Sequence, residues 1–387
     1  MKKQLKDFCT FYNGTGFPIK YQGNSKDKYP FYKVGDISKN VQNGYKILTC
    51  CDNFISDEIV KTIRGTIVPE GSIVFAKIGE AVKLNRRAIT SSSCLVDNNV
   101  IAIKPDEKQI DLDYFYYFMK SIDMAQYSNS TTVPSVKKSV LELIDLDVPT
   151  FEEQIKRKSI LNSITDSINI KNKILNELNK AIQSEFVEMF GEPIVENGKP
   201  FSECFEMNPK KTEITNWADD LEVSFLSMSC ISENGDINTS VIKKYSEVKK
   251  GFTYFRENDV LFAKITPCME NGKGGIAKKL RNGVGFGSTE FHVLRPIDNV
   301  SNPYWIYYLT SFNSFRTFAE KKMTGSAGQK RVPVSFFDIV KVNLPSIELQ
   351  ERFAAFVQQI DKSKFVVKQQ IADLQELLDS KMQEYFS

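Results

Sequence analysis

The stretch Gly71-Ser-Ile-Val-Phe-Ala-Lys-Ile78 returns as Asn258-Asp-Val-Leu-Phe-Ala-Lys-Ile265. Val148-Pro-Thr-Phe-Glu-Glu-Gln154 likewise returns as Leu344-Pro-Ser-Ile-Glu-Leu-Gln350. The offset is 187 residues from Phe75 to Phe262, 191 from Tyr116 to Tyr307, and 196 from Gln154 to Gln350. A period near half the chain that drifts by a few residues marks two copies of one domain with loop insertions, not a solenoid.

Working outward, residues 1–150 are rich in β-branched and aromatic residues punctuated by Gly, Pro and Asn. Gly65–Val68, Ser72–Phe75 and Asn99–Ile103 read as strands, and Asp113–Lys120 as a short aromatic helix. After Pro149 the text changes: from Glu152 to Phe190 there is no Gly or Pro, and helix formers dominate. Leu161, Ile168, Leu175 and Ile182 recur every seventh residue, with Ile164 and Leu178 at the companion position. This is an a/d seam. Thr150 suits an N-cap, while Gly191 and Pro193 form a stop.

The second half repeats the plan, strand-like from Phe201 to about Leu344 and then helical from Glu348 to Phe386. Its seam is Val357, Ile360, Val367, Ile371, Leu374 and Leu378. The predicted architecture is α+β: a domain at 1–150, a long helix at 151–192, a second domain at 193–345 and a second helix at 346–387. Two matched seams most simply bury each other, and the intervening domain favours an antiparallel coiled coil with pseudo-two-fold symmetry. About 38 residues at ~1.5 Å each give a rod of roughly 55 Å.

Enzyme signatures are scarce. The single histidine, His292, lies in a strand-like segment, and no HExxH or Walker A motif is present. Gly272-Lys-Gly-Gly-Ile-Ala277 fits a dinucleotide fingerprint in letters, but loop or hairpin text follows it rather than a helix. Seven cysteines, Cys50-Cys51 adjacent and the rest scattered, with no CxxC pair and an odd total, argue against zinc ribbons and disulfide frameworks. The net charge of +3 neither announces nor excludes nucleic acid, because local patches bind phosphate. No apolar run approaches the ~18 residues of a membrane span, and Gln4-Leu5-Lys6-Asp7 replaces the apolar core of a signal peptide. The expectation is a cytoplasmic, non-catalytic chain.

Two dissimilar α+β domains, each followed by a similar long helix opened by a proline and a Glu-Gln-like turn, resemble the specificity subunit of type I restriction–modification enzymes. Leu5-Lys-Asp-Phe8 running into Asn13-Gly-Thr-Gly-Phe-Pro18 is similar to the usual opening of a first target-recognition domain. Phe201 to Lys211 is similar to an alternative opening, and Leu349 before Gln350 departs from the pattern. The resemblance spans essentially the whole chain. It implies a bacterial or archaeal subunit that reads a bipartite, asymmetric target in double-stranded DNA, one half per domain. It also implies two partner methylation subunits carrying S-adenosylmethionine chemistry on adenine N6. ATP and Mg belong to a restriction subunit where one joins, and this chain carries no cofactor or metal of its own. A scaffold whose duplicated domains bind only proteins, or a single-chain nuclease or methyltransferase, stands as the alternative.

DNA contacts follow by residue type, with Arg and Lys suiting guanine edges and phosphates and Asn and Gln suiting adenine. Loop-like candidates are Lys20, Tyr21, Gln22, Asn24, Arg86 and Arg87 in the first domain. In the second they are Lys210, Lys211, Lys273, Lys278, Gln329, Lys330 and Arg331. Lys77 and Lys264 recur in both copies; residues common to both domains cannot distinguish two half-sites, so they read as structural or phosphate contacts.

Overall fold

The computed structural model of the chain describes residues 2–129, 133–213, 217–326 and 328–386. They form two compact units, Met1–Lys173 with Lys368–Ser387, and Ile174–Val367. The boundaries fall inside the two long helices, Phe151–Phe190 and Ile347–Phe386, so each unit holds one globular domain and part of both helices.

In the first unit a four-stranded antiparallel sheet runs Cys9–Asn13, Val100–Pro105, Ile73–Ala76, Ala88–Ile89. The second unit repeats this order with Phe205–Met207, Phe291–Pro296, Val260–Ala263, Gly274–Ile276. A second sheet in each unit, three-stranded in the first and four-stranded in the second, contains one parallel pair, Tyr29–Tyr32 with Leu95–Val96 and Glu222–Leu226 with Val284–Gly287. Each domain is closed by a short ribbon, Lys2–Gln4 on Asp145–Asp147 and Lys199–Pro200 on Lys341–Val342. Ile73, Phe75 and Phe262 are buried because the central strand is covered on both faces. Gly65–Val68 does not form a strand; only Val68 bridges, to Cys94, while Gly65 lies so close to Leu95 that a Cβ would meet it at 2.5 Å. The fingerprint-like Gly272–Ala277 supplies the edge strand Gly274–Ile276 of an antiparallel pair and opens no helix.

An aromatic helix packs beneath each all-antiparallel sheet, Leu112–Ser121 and Pro303–Ser311. In the first unit its side chains share one core with Leu161, Ile164 and Leu378 from the long helices. There Arg157 Nη1 donates to the Tyr385 carbonyl at 3.1 Å and Lys171 Nζ to Gln370 Oε1 at 2.7 Å. Moving forward from 157 to 171 moves back from 385 to 370, so the helices run antiparallel in this unit. In the second unit Phe186 and Phe190 both pack on Phe353, with Ile182 and Val357 in the same core. Leu161, Ile164, Ile182, Val357 and Leu378 are buried, and Ile168, Leu175, Leu178, Ile360, Val367, Ile371 and Leu374 are half-buried. Gly191 ends the first long helix at φ 78°, where its amide reaches the Val187 carbonyl.

The repeated glutamines explain the repeated motif. Gln154 and Gln350 are buried at the first turn of each long helix. Each accepts from the N-cap amide of its aromatic helix, Asp111 or Asn302, at 2.8 Å. Each donates to the carbonyl two residues earlier, Gln109 or Val300, and to its own proline, Pro149 or Pro345.

Candidate nucleic-acid interface

Strand pairing brings some of the candidate residues together. The end of the central strand lies between two loops in both units. In the first, the Lys77 amide reaches the Asn99 carbonyl and the Lys77 carbonyl accepts from Val136, both at 2.8 Å. In the second, the Lys264 amide reaches the Glu290 carbonyl and the Lys264 carbonyl accepts from Val332, at 3.0 and 2.9 Å. These are the same backbone bonds displaced by 191 and 196 residues. Lys77 Nζ donates to Asn13 Oδ1 at 3.1 Å. Both lysines are half-buried, and burial pulls both ammonium groups below the usual lysine value.

The loop beside Lys264 carries Gln329 and Lys330, both exposed, between the bridged residues Thr324 and Arg331. Lys264, Gln329, Lys330 and Arg331 therefore converge at one end of the sheet. Arg331 is less free than its type suggests: Glu290 accepts from its Nε and Nη2 at 2.9 Å each, and Nη1 is spent on the Gln329 carbonyl. At the matching place in the first unit stand Val133, Pro134 and Ser135, with Asn13 and Asn99 alongside. Residue type alone does not single out Asn13 and Asn99. Transferring the offset of 191 from Glu290 points to Asn99, and the Lys77 contact then points to Asn13.

The remaining candidates are dispersed. Lys20 is exposed above the Tyr21 ring, 4.8 Å from its centroid. Gln22 is tied to the Phe17 carbonyl and to Lys33, and Asn24 Oδ1 accepts from the Lys26 amide. Arg86 is half-buried and Lys210 exposed, whereas Lys211 Nζ donates to the Lys249 carbonyl. Lys273 and Lys278 flank opposite ends of the strand Gly274–Ile276; the first donates to the Met228 carbonyl, and the second lies 3.8 Å over the Tyr304 ring.

Arg87 is the correction. It was expected on a loop surface, but it is 2% exposed. The register that pairs Ile73 with Ile89 and Val74 with Ala88 sets Arg87 opposite Phe75, facing the core. Its guanidinium lies 4.9 Å from the Phe75 ring, and Nη2 donates to Asn85 Oδ1 and to the Ile122 carbonyl at the end of the aromatic helix. In the second unit Gly274 pairs with Phe262 at the corresponding place. There the guanidinium of Arg316 lies 4.5 Å from Phe262 and donates to the Thr310 carbonyl at 2.6 Å. One guanidinium site at a helix C-terminus is thus supplied from two different chain positions.

His292 is structural in its contacts. It is 3% exposed, with Nε2 at 2.8 Å from the Val332 carbonyl and Nδ1 at 3.3 Å from Asn208 Nδ2. The neutral ring donates to the first and accepts from the second. Burial pulls its pKa from 6.5 to about 4. The unfolded chain therefore binds this proton more readily, and stability is lost as pH falls from about 6.5 towards 4, to a limit of about 3 kcal/mol. Denaturant titrations of the second unit should show a falling midpoint between pH 7 and pH 4.5 that His292→Gln flattens. An unchanged slope in that variant would mean that other groups carry the loss.

The two halves thus form a duplicated α+β domain that shares one frame and differs in the loops at the strand ends. The sequence matches the family model described as Type I restriction modification DNA specificity domain over residues 1–180 and again over 194–376. The chain belongs to that family. It is 44% identical over 171 residues to the type I restriction enzyme EcoEI specificity subunit of Escherichia coli, a match covering 41% of this chain and 28% of that subunit. It is 25% identical over 346 residues to the MjaVIII specificity subunit of Methanocaldococcus jannaschii, covering 79% and 76% of the two chains. The fold is that of the crystallised type I S subunit from M. genitalium, with a TM-score of 0.50 at 12% identity over 100% of this chain and 96% of that one. The chain thus aligns with about a quarter of the length of the E. coli subunits it matches. Among the described residues no helix is long and apolar enough to cross a membrane.

Proposed function

We propose that this chain is the DNA-reading subunit of a type I restriction–modification complex and is itself non-catalytic. Each domain reads one half of a bipartite, asymmetric duplex target. Partner methylation subunits carry S-adenosylmethionine and modify adenine N6, and a restriction subunit with ATP and Mg can join them. The observation that carries the reading is the contrast at the two strand ends. Lys77 and Lys264 keep the same backbone partners, while the adjoining loops change from Val133-Pro134-Ser135 to Gln329-Lys330-Arg331. A shared lysine suits phosphate, which is alike in every sequence, and divergent loops suit two different half-sites.

The test is N6-methyladenine mapping in DNA from cells expressing the chain with its methylation subunit. The expected motif is two unlike half-sites separated by unspecified bases. A continuous or symmetric motif would sink the two-reader assignment, and equal binding of the complex to every duplex would favour the protein scaffold. Lys77→Ala with Lys264→Ala should leave the motif unchanged. The salt slope of binding should become shallower by about one per lysine.

A further inference from the structure

We propose that Gln154 and Gln350 are positioning residues, each fixing the direction in which a long helix leaves its own recognition domain and so restricting the half-site spacing the protein accepts. The proposal rests on the DNA-reading function above. Neither side chain can touch DNA, because Gln154 is 1% exposed and Gln350 0%. Each carboxamide engages three backbone groups: the N-cap amide of the aromatic helix at 2.8 Å, the carbonyl two residues before it at 3.3 or 3.0 Å, and the proline carbonyl at 3.0 Å. Both N–H groups and one oxygen lone pair are used. Glutamate lacks the donors, asparagine is one methylene short, and an apolar side chain satisfies none of the three.

Apolar packing of the helix on its domain, through Leu161 and Ile164 or Phe353 and Val357, is non-directional and tolerates small rotations. Three hydrogen bonds converging on one planar group are directional. They tie the first turn of the long helix to the first turn of the aromatic helix across the extended links at Pro149 and Pro345. In the first unit Lys158 adds an ion pair to Asp111 at 2.6 Å, whereas Ala354 occupies the equivalent place in the second.

The experiment compares methylation by the complete complex on targets with the native spacing and with one base pair more or fewer. Gln154→Met and Gln350→Met should leave the half-site bases unchanged and reduce the preference for native spacing at least tenfold. Equal losses at every spacing, or no change, would overturn the proposal, since a purely structural role lowers all rates together. If either variant fails to fold, Lys158→Ala supplies the second reading, because Lys158 is partly exposed. It should relax spacing two- to threefold, and an unaltered spacing profile would overturn the proposal. Failure of the wild-type complex to methylate any spaced target would overturn the DNA-reading function as well, which separates the two failures.

Discussion

Asp259→Leu should destabilise the second unit by about 3–5 kcal/mol, the cost of stripping a buried guanidinium of its bidentate carboxylate partner. Arg295 Nε and Nη2 meet Asp259 Oδ1 and Oδ2 at 2.8 Å each, with both residues almost completely buried. Nη1 extends the pair to Glu213 at 2.5 Å. Burial alone would lower the Arg295 pKa; the Asp259 and Glu213 carboxylates together outweigh it and hold the guanidinium above its ordinary value. Asp259 also accepts from the Arg256 amide at 2.8 Å, so the substitution orphans a backbone donor as well. The first unit does without this pair. Register places Ser72 opposite Lys104 where Asp259 stands opposite Arg295, and Ser72 bonds the Pro69 carbonyl instead.

The loss should therefore be local. The amides of residues 260–263 and 291–295 should lose hydrogen-exchange protection while those of residues 73–76 and 100–104 keep theirs. The melting transition of the second unit should fall by roughly 10 °C. Asp259→Leu combined with Arg295→Met should recover most of the loss, because an apolar pair of similar volume removes the uncompensated charge. A single-variant cost under about 1 kcal/mol would show that the Asp259 and Arg295 charges are well hydrated.

The large features were legible because they depend on periodicity and repetition. The absence of Gly and Pro between Glu152 and Phe190 located the first helix to within a residue of Phe151–Phe190. The aromatic helix expected at Asp113–Lys120 spans Leu112–Ser121. Side-chain direction was the part that linear text did not carry. Arg86 and Arg87 look like one basic pair, yet successive residues entering a strand point to opposite faces, so one had to turn inward. Deciding which required the register against Ile73 and Val74. Asp259 reads as a turn residue after Asn258, and its partner Arg295 lies on another strand. Gln154 and Gln350 were visible as a repeat, but their purpose depended on Gln109–Asp111 and Val300–Asn302, which carry no recognisable motif.

The guanidinium exchange gives the second large expectation. Arg316→Met should cost about 3–5 kcal/mol and Arg87→Met about 2–3 kcal/mol, because each leaves buried carbonyls without donors at a cost of about 1–3 kcal/mol apiece. Arg316 serves more of them: Nε bonds the Thr310 carbonyl at 2.6 Å, Nη1 that of Met269 at 3.0 Å, and Nη2 that of Gly272 at 3.3 Å. Burial lowers both arginines to about 10, which leaves them charged at neutral pH, each lying over the phenylalanine of a Phe-Ala-Lys repeat. Denaturant unfolding resolved by unit gives the cost, and duplex binding across a salt series decides its meaning. A buried guanidinium neutralises no phosphate, so both variants, measured where they remain folded, should keep the wild-type salt slope. A slope shallower by about one for Arg87→Met would return that residue to the DNA surface. The unchanged slope follows from the frame itself: the chain preserves a positive group at the end of each aromatic helix, and only the position that supplies it differs between the halves.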